Sequence, residues 1–299
     1  MNRYPPKRVI VAADLSATSL AALDAAKFLA RLWGATLEIV YVHLPPTLDA
    51  WGGPGGFPSV PPPPDTPPLE EVESRLRRAV ADFSAARLTM SAPRGWPTAC
   101  LLDLARHERT DFLVMGAHGH SGLHRLLTGS VAETVIRRAR VPVLAVPEKT
   151  SVAATLRVLA PWNGRPYATR ALRWAREFAR GMGATLDVLH VKEGGLAVGR
   201  DAVMLRRSLL AILGPETDWT LSARVGDARA RIVALANSGR CGLVVLSAHR
   251  RPFGADLALG STIERVLRHA HVPVLAVPSG RPLPGLLRRV AARAGTRLY

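Results

Sequence analysis

The chain is written twice, and that limits its folds more than any other feature. RVIVAADLSATSLAALDAAKFLARLWGATLEIVYV, from Arg8, aligns with RVLAPWNGRPYATRALRWAREFARGMGATLDVLHV, from Arg157, at a constant offset of 149 with no gap. Further on, GWPTACLLDLARHERTDFLVMGAHG from Gly95 aligns with GDARARIVALANSGRCGLVVLSAHR from Gly226 at an offset of 131. Both copies close on the same segment, VPVLAVP, at Val141 and at Val272. A repeat of this length is a whole domain, so the 299 residues divide into two. The expected units are 1–149, 150–278 and a basic C-terminal tail, 279–299. The drop of 18 in offset places extra material in the first copy, PPTLDAWGGPGGFPSVPPPPDTPP at 45–68. That composition predicts a flexible, partly polyproline loop.

Within each copy, short β-branched runs alternate with helical patterns. Strands are expected at Val9–Ala12, Leu37–Val42, Arg87–Ser91 and Phe112–Met115, and at Val158–Ala160, Leu186–Val191, Trp219–Val225 and Leu243–Leu246. Helices are expected at Leu69–Ala86, Thr98–His107 and Ala228–Ser238, besides those that follow each first strand. Alternation of this kind requires crossover connections and a mainly parallel sheet covered on both faces. The fold class is therefore α/β: two tandem doubly wound, Rossmann-like, five-stranded mainly parallel sheets with helices on both faces. The proline in VPVLAVP suits an edge strand or a strand's first residues.

Composition excludes several classes. Hydrophobic residues make up 48%, enough for packed cores. No apolar run approaches the roughly 20 residues of a membrane span, and the N-terminus lacks a signal-peptide pattern. Two cysteines, Cys100 and Cys241, give neither a disulfide framework nor a zinc motif, and a reducing cytoplasmic location is expected. The net charge of +17 is unevenly spread. Residues 1–150 carry 17 basic and 14 acidic side chains, whereas residues 151–299 carry 23 and 9. The second half therefore holds +14, which attracts anions.

The chemistry concentrates in MGAHGHSGLHRLLTGS, Met115 to Ser130, between an apolar strand and a helix. Gly116 and Gly119 allow bare backbone amides to approach a ligand, and Gly129-Ser130 opens a helix whose free N–H groups suit phosphate. A P-loop is excluded, because no lysine occurs between Lys27 and Lys149. The spacing is not that of a dinucleotide fingerprint either. Ser130 with Glu133, and Ser261 with Glu264, also form the Ser-x-x-Glu pattern of a capping box, an architectural reason for the serines. His118, His120 and His124 have no carboxylate between them and do not make a tight zinc site, so no metal site is expected.

Gly-x-x-Gly, nine residues, Gly-Ser resembles the ATP-binding signature of the universal stress protein family, and the resemblance extends over both copies. It implies that Gly116, Gly119, Gly129 and Ser130 hold ATP phosphates, with Mg²⁺ accompanying them. It also implies that Ala13 and Asp14, at the end of the first strand, contact base or ribose, and that Val42 contacts adenine. The family's histidine before that valine is Tyr41 here, to which no role is assigned, and His190 in the second copy. Asp14 has the alternative role of helix cap. In the family, the VPV strand pairs two protomers. Here, Val141 and Val272 would pair the two copies into a pseudo-dimer, with a homodimer as a further option.

The second copy departs from the signature. Ser247 stands for Gly116, Arg250 for Gly119 and Asn163 for Asp14, and only Gly260-Ser261 remains. One ATP, in the first copy, is expected. No catalytic base or nucleophile pairing is apparent, so the reading is a nucleotide-dependent stress sensor or switch with at most slow hydrolysis. The alternative is a scaffold without nucleotide that docks an acidic protein or other polyanion on its basic second half. The tail, with Arg288, Arg289, Arg293 and Arg297 among leucines, reads as a short basic amphipathic helix.

Overall fold

The computed structural model describes residues 4–43, 67–84, 87–106, 110–117, 130–193, 199–215, 217–253 and 256–279, with side chains left out at 130, 199–202 and 250–259. The Pro-rich segment up to residue 66, the loop 118–129 and the tail from residue 280 lie outside it. The first copy runs β1 (Arg8–Ala12), α1 (Ala17–Trp33), β2 (Thr36–Val40), α2 (Leu69–Ala79), β3 (Leu88–Ser91), α3 (Pro97–Leu104), β4 (Phe112–Gly116), α4 (Ser130–Arg138) and β5 (Val143–Val146). The second runs β6 (Arg157–Pro161), a 3-10 turn (Pro166–Ala168), α5 (Thr169–Gly181), β7 (Thr185–Lys192), α6 (Gly199–Leu213), β8 (Trp219–Val225), α7 (Ala228–Ala236), β9 (Leu243–Ala248), β10 (Arg250–Phe253), β11 (Asp256–Leu259), α8 (Ser261–His269) and β12 (Val274–Pro278).

The two expected five-stranded sheets are joined into one sheet of ten strands, ordered β3-β2-β1-β4-β5-β12-β9-β6-β7-β8. Pairing is parallel within each half, and the halves meet at the antiparallel pair of β5 and β12, where Leu144 faces Leu275. The two VPVLAVP segments thus form the seam, as expected. Pro142 and Pro273 sit just before their strands, where a missing N–H costs nothing and the carbonyls still accept from Leu113 and Val244. The proline therefore marks a strand's beginning and not a sheet edge. Both strands lie at the centre.

Central parallel strands must be apolar on both faces, and Val9, Ile10 and Val11 of β1 are fully buried. Two cores result. α1, α2, α5 and α6 cover one face, and α3, α4, α7 and α8 the other. α1 buries Ala22, Ala25, Ala26, Leu29 and Ala30, the repeat of one helical stripe. At the seam, Trp33 of α1 and Phe112 of β4 (ring centroids 5.1 Å apart) pack with Trp174 and Phe178 of α5. These contacts bind the copies on one face of the sheet, and each aromatic pair adds about 1 kcal/mol beyond its area.

Three local expectations differ. α2 ends at Ala79, where the sequence suggested Ala86. Val80 and Phe83 beyond it are still buried in the same core, but Lys27 donates to the Ala79 carbonyl at 3.0 Å and the Phe83 N–H turns back to the Val80 carbonyl at 2.8 Å, so the chain leaves the helix through a turn. In the second copy, the segment matching the first copy's glycine loop contains a two-stranded hairpin, β10 with β11. α8 takes Gly260 as its N-cap with no side-chain hydrogen bond, so Ser261 lies one residue too far in to close a capping box.

Candidate functional site

In an open doubly wound sheet the ligand crevice lies at the carboxyl ends of the strands where the strand order reverses. In the first copy that point lies between β1 and β4, and in the second between β6 and β9. The two crevices can be compared residue by residue.

In the first copy, Ala13 follows β1 and is buried, its N–H donating to the Val40 carbonyl at 2.9 Å. Asp14 comes next. Its Oδ1 accepts the Ser16 N–H at 2.9 Å and the Ser16 hydroxyl, and its own N–H donates to Ser19 Oγ. The carboxylate therefore shapes the turn into α1 but is not its cap. That role belongs to Ser16, whose oxygen accepts the Ser19 N–H. Leu15 completes the turn with φ 65°, a left-handed conformation unusual for leucine. From β2, Tyr41 reaches the same place. Burial, and then the charge of Asp14, push its phenol above the ordinary value. Val42 is partly buried against the second core. The His43 Nδ1 is buried and has no partner among the described residues. Tyr41 and His43 were given no role from sequence. The retained His190 of the second copy was the signal that position 41 matters.

Gly116 ends β4 beside this turn. A Cβ there would lie 2.7 Å from Thr18 Oγ1, 3.0 Å from Thr18 Cβ and 3.1 Å from the Ser19 nitrogen. The start of α1 is pressed onto this strand end, so packing alone requires the glycine. That is a second reason beside the approach of a ligand. Gly119 and Gly129 lie outside the described residues, as do His118, His120 and His124. Ser130 is the first residue of α4, whose first turn carries Glu133. The crevice thus brings together Ala13, Asp14, Tyr41, Val42 and Gly116, and the phosphate half of the expected site falls on the undescribed loop.

The second copy keeps the turn and changes what surrounds it. Asn163 Oδ1 accepts the Arg165 N–H at 3.1 Å, the same bond that Asp14 makes with Ser16. Its amide donates to the hydroxyl of Tyr167, which replaces Thr18. The Tyr167 ring stacks on His249, with centroids 4.0 Å apart and planes 11° apart. Ser247, in place of Gly116, donates to the Tyr167 carbonyl at 3.1 Å. With a side chain there, the helix's first residues become a 3-10 turn and α5 begins at Thr169. His190 Nδ1 lies 3.0 Å from the Trp162 carbonyl. An aromatic pair tied at both ends stands at the second copy's strand ends, where the first copy has Thr18 in place of Tyr167 and the match of His249, His118, lies outside the described residues.

A family model described as the universal stress protein family matches residues 5–147 and 155–278. The chain is 33% identical over 150 residues to a universal stress protein A homolog of Coxiella burnetii, covering 47% of this chain and 95% of that one. It is 35% identical over 79 residues to a universal stress protein of Methanocaldococcus jannaschii, covering 26% of this chain and 46% of that one, so that match spans about half of the relative's length. Among solved structures, a universal stress protein from Archaeoglobus fulgidus superposes with a TM-score of 0.70 at 20% identity, over 93% of this chain and all of that one. This last likeness concerns the fold. No helix among the described residues is long and apolar enough to cross a membrane.

Proposed function

The chain belongs to the universal stress protein family, and from that premise we propose that it is an ATP-dependent stress-response switch with one nucleotide site, in its first copy. Residues 1–149 form the nucleotide-binding unit, 150–278 the second unit and 279–299 a basic tail. The observation that carries this reading is the contrast between the two crevices. Only the first copy keeps Gly-x-x-Gly, nine residues, Gly-Ser, and only there do Thr18 and Asp14 stand where the second copy has Tyr167 and Asn163.

The residues present suit the ligand. Asp14 is a carboxylate at the strand end, able to accept from ribose hydroxyls. The His43 Nδ1, buried without a partner among the described residues, leaves a polar group to be satisfied. Val42 offers an apolar contact for the base. Amides from Gly116 through Gly119, and the N-terminus of α4 at Gly129-Ser130, would hold the phosphates. ATP and its Mg²⁺ supply the charge and the hydrolysable bond. The chain supplies orientation.

Gly119→Arg tests this by writing Arg250 of the second copy into the first. Nucleotide released from purified protein is identified by mass spectrometry, and Mg-ATP retention is measured by equilibrium dialysis. Wild type is expected to retain about one ATP per chain, and Gly119→Arg essentially none. Equal retention in the two proteins would sink the assignment. Gly116→Val is a poor substitute, because it strikes Thr18 whether or not ATP binds.

A further inference from the structure

We propose that the carboxyl edge of the second copy is a docking surface for single-stranded nucleic acid. The charge asymmetry of the chain has a location. Seven positions around this edge are basic in the second copy and uncharged or histidine in the first: Arg165 for Ser16, Lys192 for His43, Arg224 for Pro93, Arg229 for Thr98, Arg231 for Cys100, Arg250 for Gly119 and Arg251 for His120. Arg94, opposite Val225, is an exchange in the other sense, and Glu193 and Asp227 are the nearby acids among the described side chains. Asp227 is occupied by Arg229 at 3.1 Å and caps α7, and Glu193 accepts the Ala228 N–H.

Arg165, Arg224 and Arg231 are exposed and form no ion pair among the described residues. They follow β6, end β8 and open α7, so they belong to one edge of the sheet. Gly226, with φ 128°, turns the chain from β8 into α7, and a Cβ on it would touch Arg231 Nε at 3.4 Å. This packing lays the Arg231 guanidinium back against Gly226 at the end of β8, while Arg224 Nη1 donates to the Ala223 carbonyl at 3.4 Å. Arg250 and Arg251 sit at successive register positions of β10, opposite Leu259 and Ala258.

The chemistry favours nucleic acid over other polyanions. Unpaired guanidiniums are planar forks that match phosphate oxygens. On the same edge, two residues past Arg165, lies the partly buried Tyr167–His249 stack, and an aromatic platform with a basic track is how single strands are held without sequence preference. An anionic bilayer would need apolar side chains on this face to insert; among the described residues here the exposed large ones are Val225 at the end of β8 and Val203 and Met204 early in α6, so vesicles are the competitor the test sets against RNA.

The test uses the full chain, a labelled single-stranded RNA of mixed sequence and fluorescence anisotropy over a salt series. The edge triple variant, Arg165→Ala with Arg224→Ala and Arg231→Ala, is compared with a control triple on α2, Arg75→Ala with Arg77→Ala and Arg78→Ala, which removes equal charge. Three lost phosphate contacts should reduce the log–log salt slope by about 2 and weaken low-salt binding at least about tenfold, while the control stays near wild type. His249→Ala should cost about fivefold with the slope unchanged, because stacking releases no counterions. If the edge triple does not melt cooperatively, Arg224→Glu alone must shift affinity in the same direction. Equal losses in both triples, no RNA binding by wild type, or tighter binding to phosphatidylserine vesicles or polyglutamate than to RNA would each overturn the proposal.

Discussion

The two halves share a backbone plan and differ where each strand set opens to solvent. In the first copy the helix after β1 starts at Ala17 and is pressed onto Gly116. In the second, Ser247 has pushed the equivalent start three residues along and holds it with a hydroxyl bond. The turn before it survives because Asn and Asp make the same bond to the residue two further on. The exchanges fall on loop residues and a helix's first turn, so a duplicated domain can remodel its strand ends while keeping its core.

The largest effect should come from putting a branched side chain on the first copy's strand end. Gly116→Val places two methyl groups where even a Cβ would lie within 3.1 Å of backbone and Thr18. A loss of about 3 kcal/mol is expected, with a fall in melting midpoint of about 6–10 °C. Ser247→Ala, at the matching position, removes one hydroxyl–carbonyl bond and should cost about 1 kcal/mol, about 2–4 °C. Thermal denaturation of the two proteins side by side is the check. Equal shifts would mean that the first helix is not constrained by this strand end.

Asp14→Asn should alter binding and leave stability nearly untouched. The second copy shows that asparagine keeps the turn, so the midpoint should stay within about 2 °C. Removing the charge that accepts from the nucleotide should weaken ATP retention about tenfold. Asn163→Asp should gain no ATP site, because Tyr167 and Arg250 remain. Dialysis with both variants separates the role of the charge from that of the turn.

Most of the fold was legible because a parallel sheet needs apolar strands at regular spacing, and the repeat doubled every signal. The seam was legible only through the family resemblance, since VPVLAVP by itself read as an edge strand or a strand's first residues. The site was legible only in part. The four glycines read as a loop made for a ligand, yet the constraint on Gly116 comes from Thr18, distant in sequence, and no local pattern reveals such a contact. Asp14 looked equally like a cap and a ligand group. Ser16, two residues on, took the cap, since its oxygen reaches the Ser19 N–H. The hairpin Arg250–Phe253 with Asp256–Leu259 was hidden because it replaces a loop in the other copy and contains Pro252. Tyr41 departs from the family's histidine and so carries no role in the sequence, although the structure sets it near Asp14.

The smallest effect distinguishes two ion clusters built on one plan. Lys27 and Arg31 of α1 hold Asp82, and at the same helix positions Arg176 and Arg180 of α5 hold Asp218. The Asp82 side chain is 57% exposed and that of Asp218 22%. Hydrogen bonds from Arg31 and then Lys27 hold the Asp82 carboxyl down at about 2, against an ordinary 3.8. A depressed carboxylate stabilises the fold above its unfolded value and loses that contribution as pH falls through the folded one. Asp82→Asn should therefore lower the midpoint at pH 7 only slightly, since water screens the pair. By the same small amount it should flatten the loss of stability between about pH 4 and about pH 2, because the contribution lost there is the one present at pH 7. Asp218→Asn, in the drier cluster, should cost about 0.5–1 kcal/mol at pH 7, about 2 °C. Melting curves at both pH values check this. A larger fall at neutral pH for Asp82→Asn than for Asp218→Asn would show that exposure does not rank the two clusters.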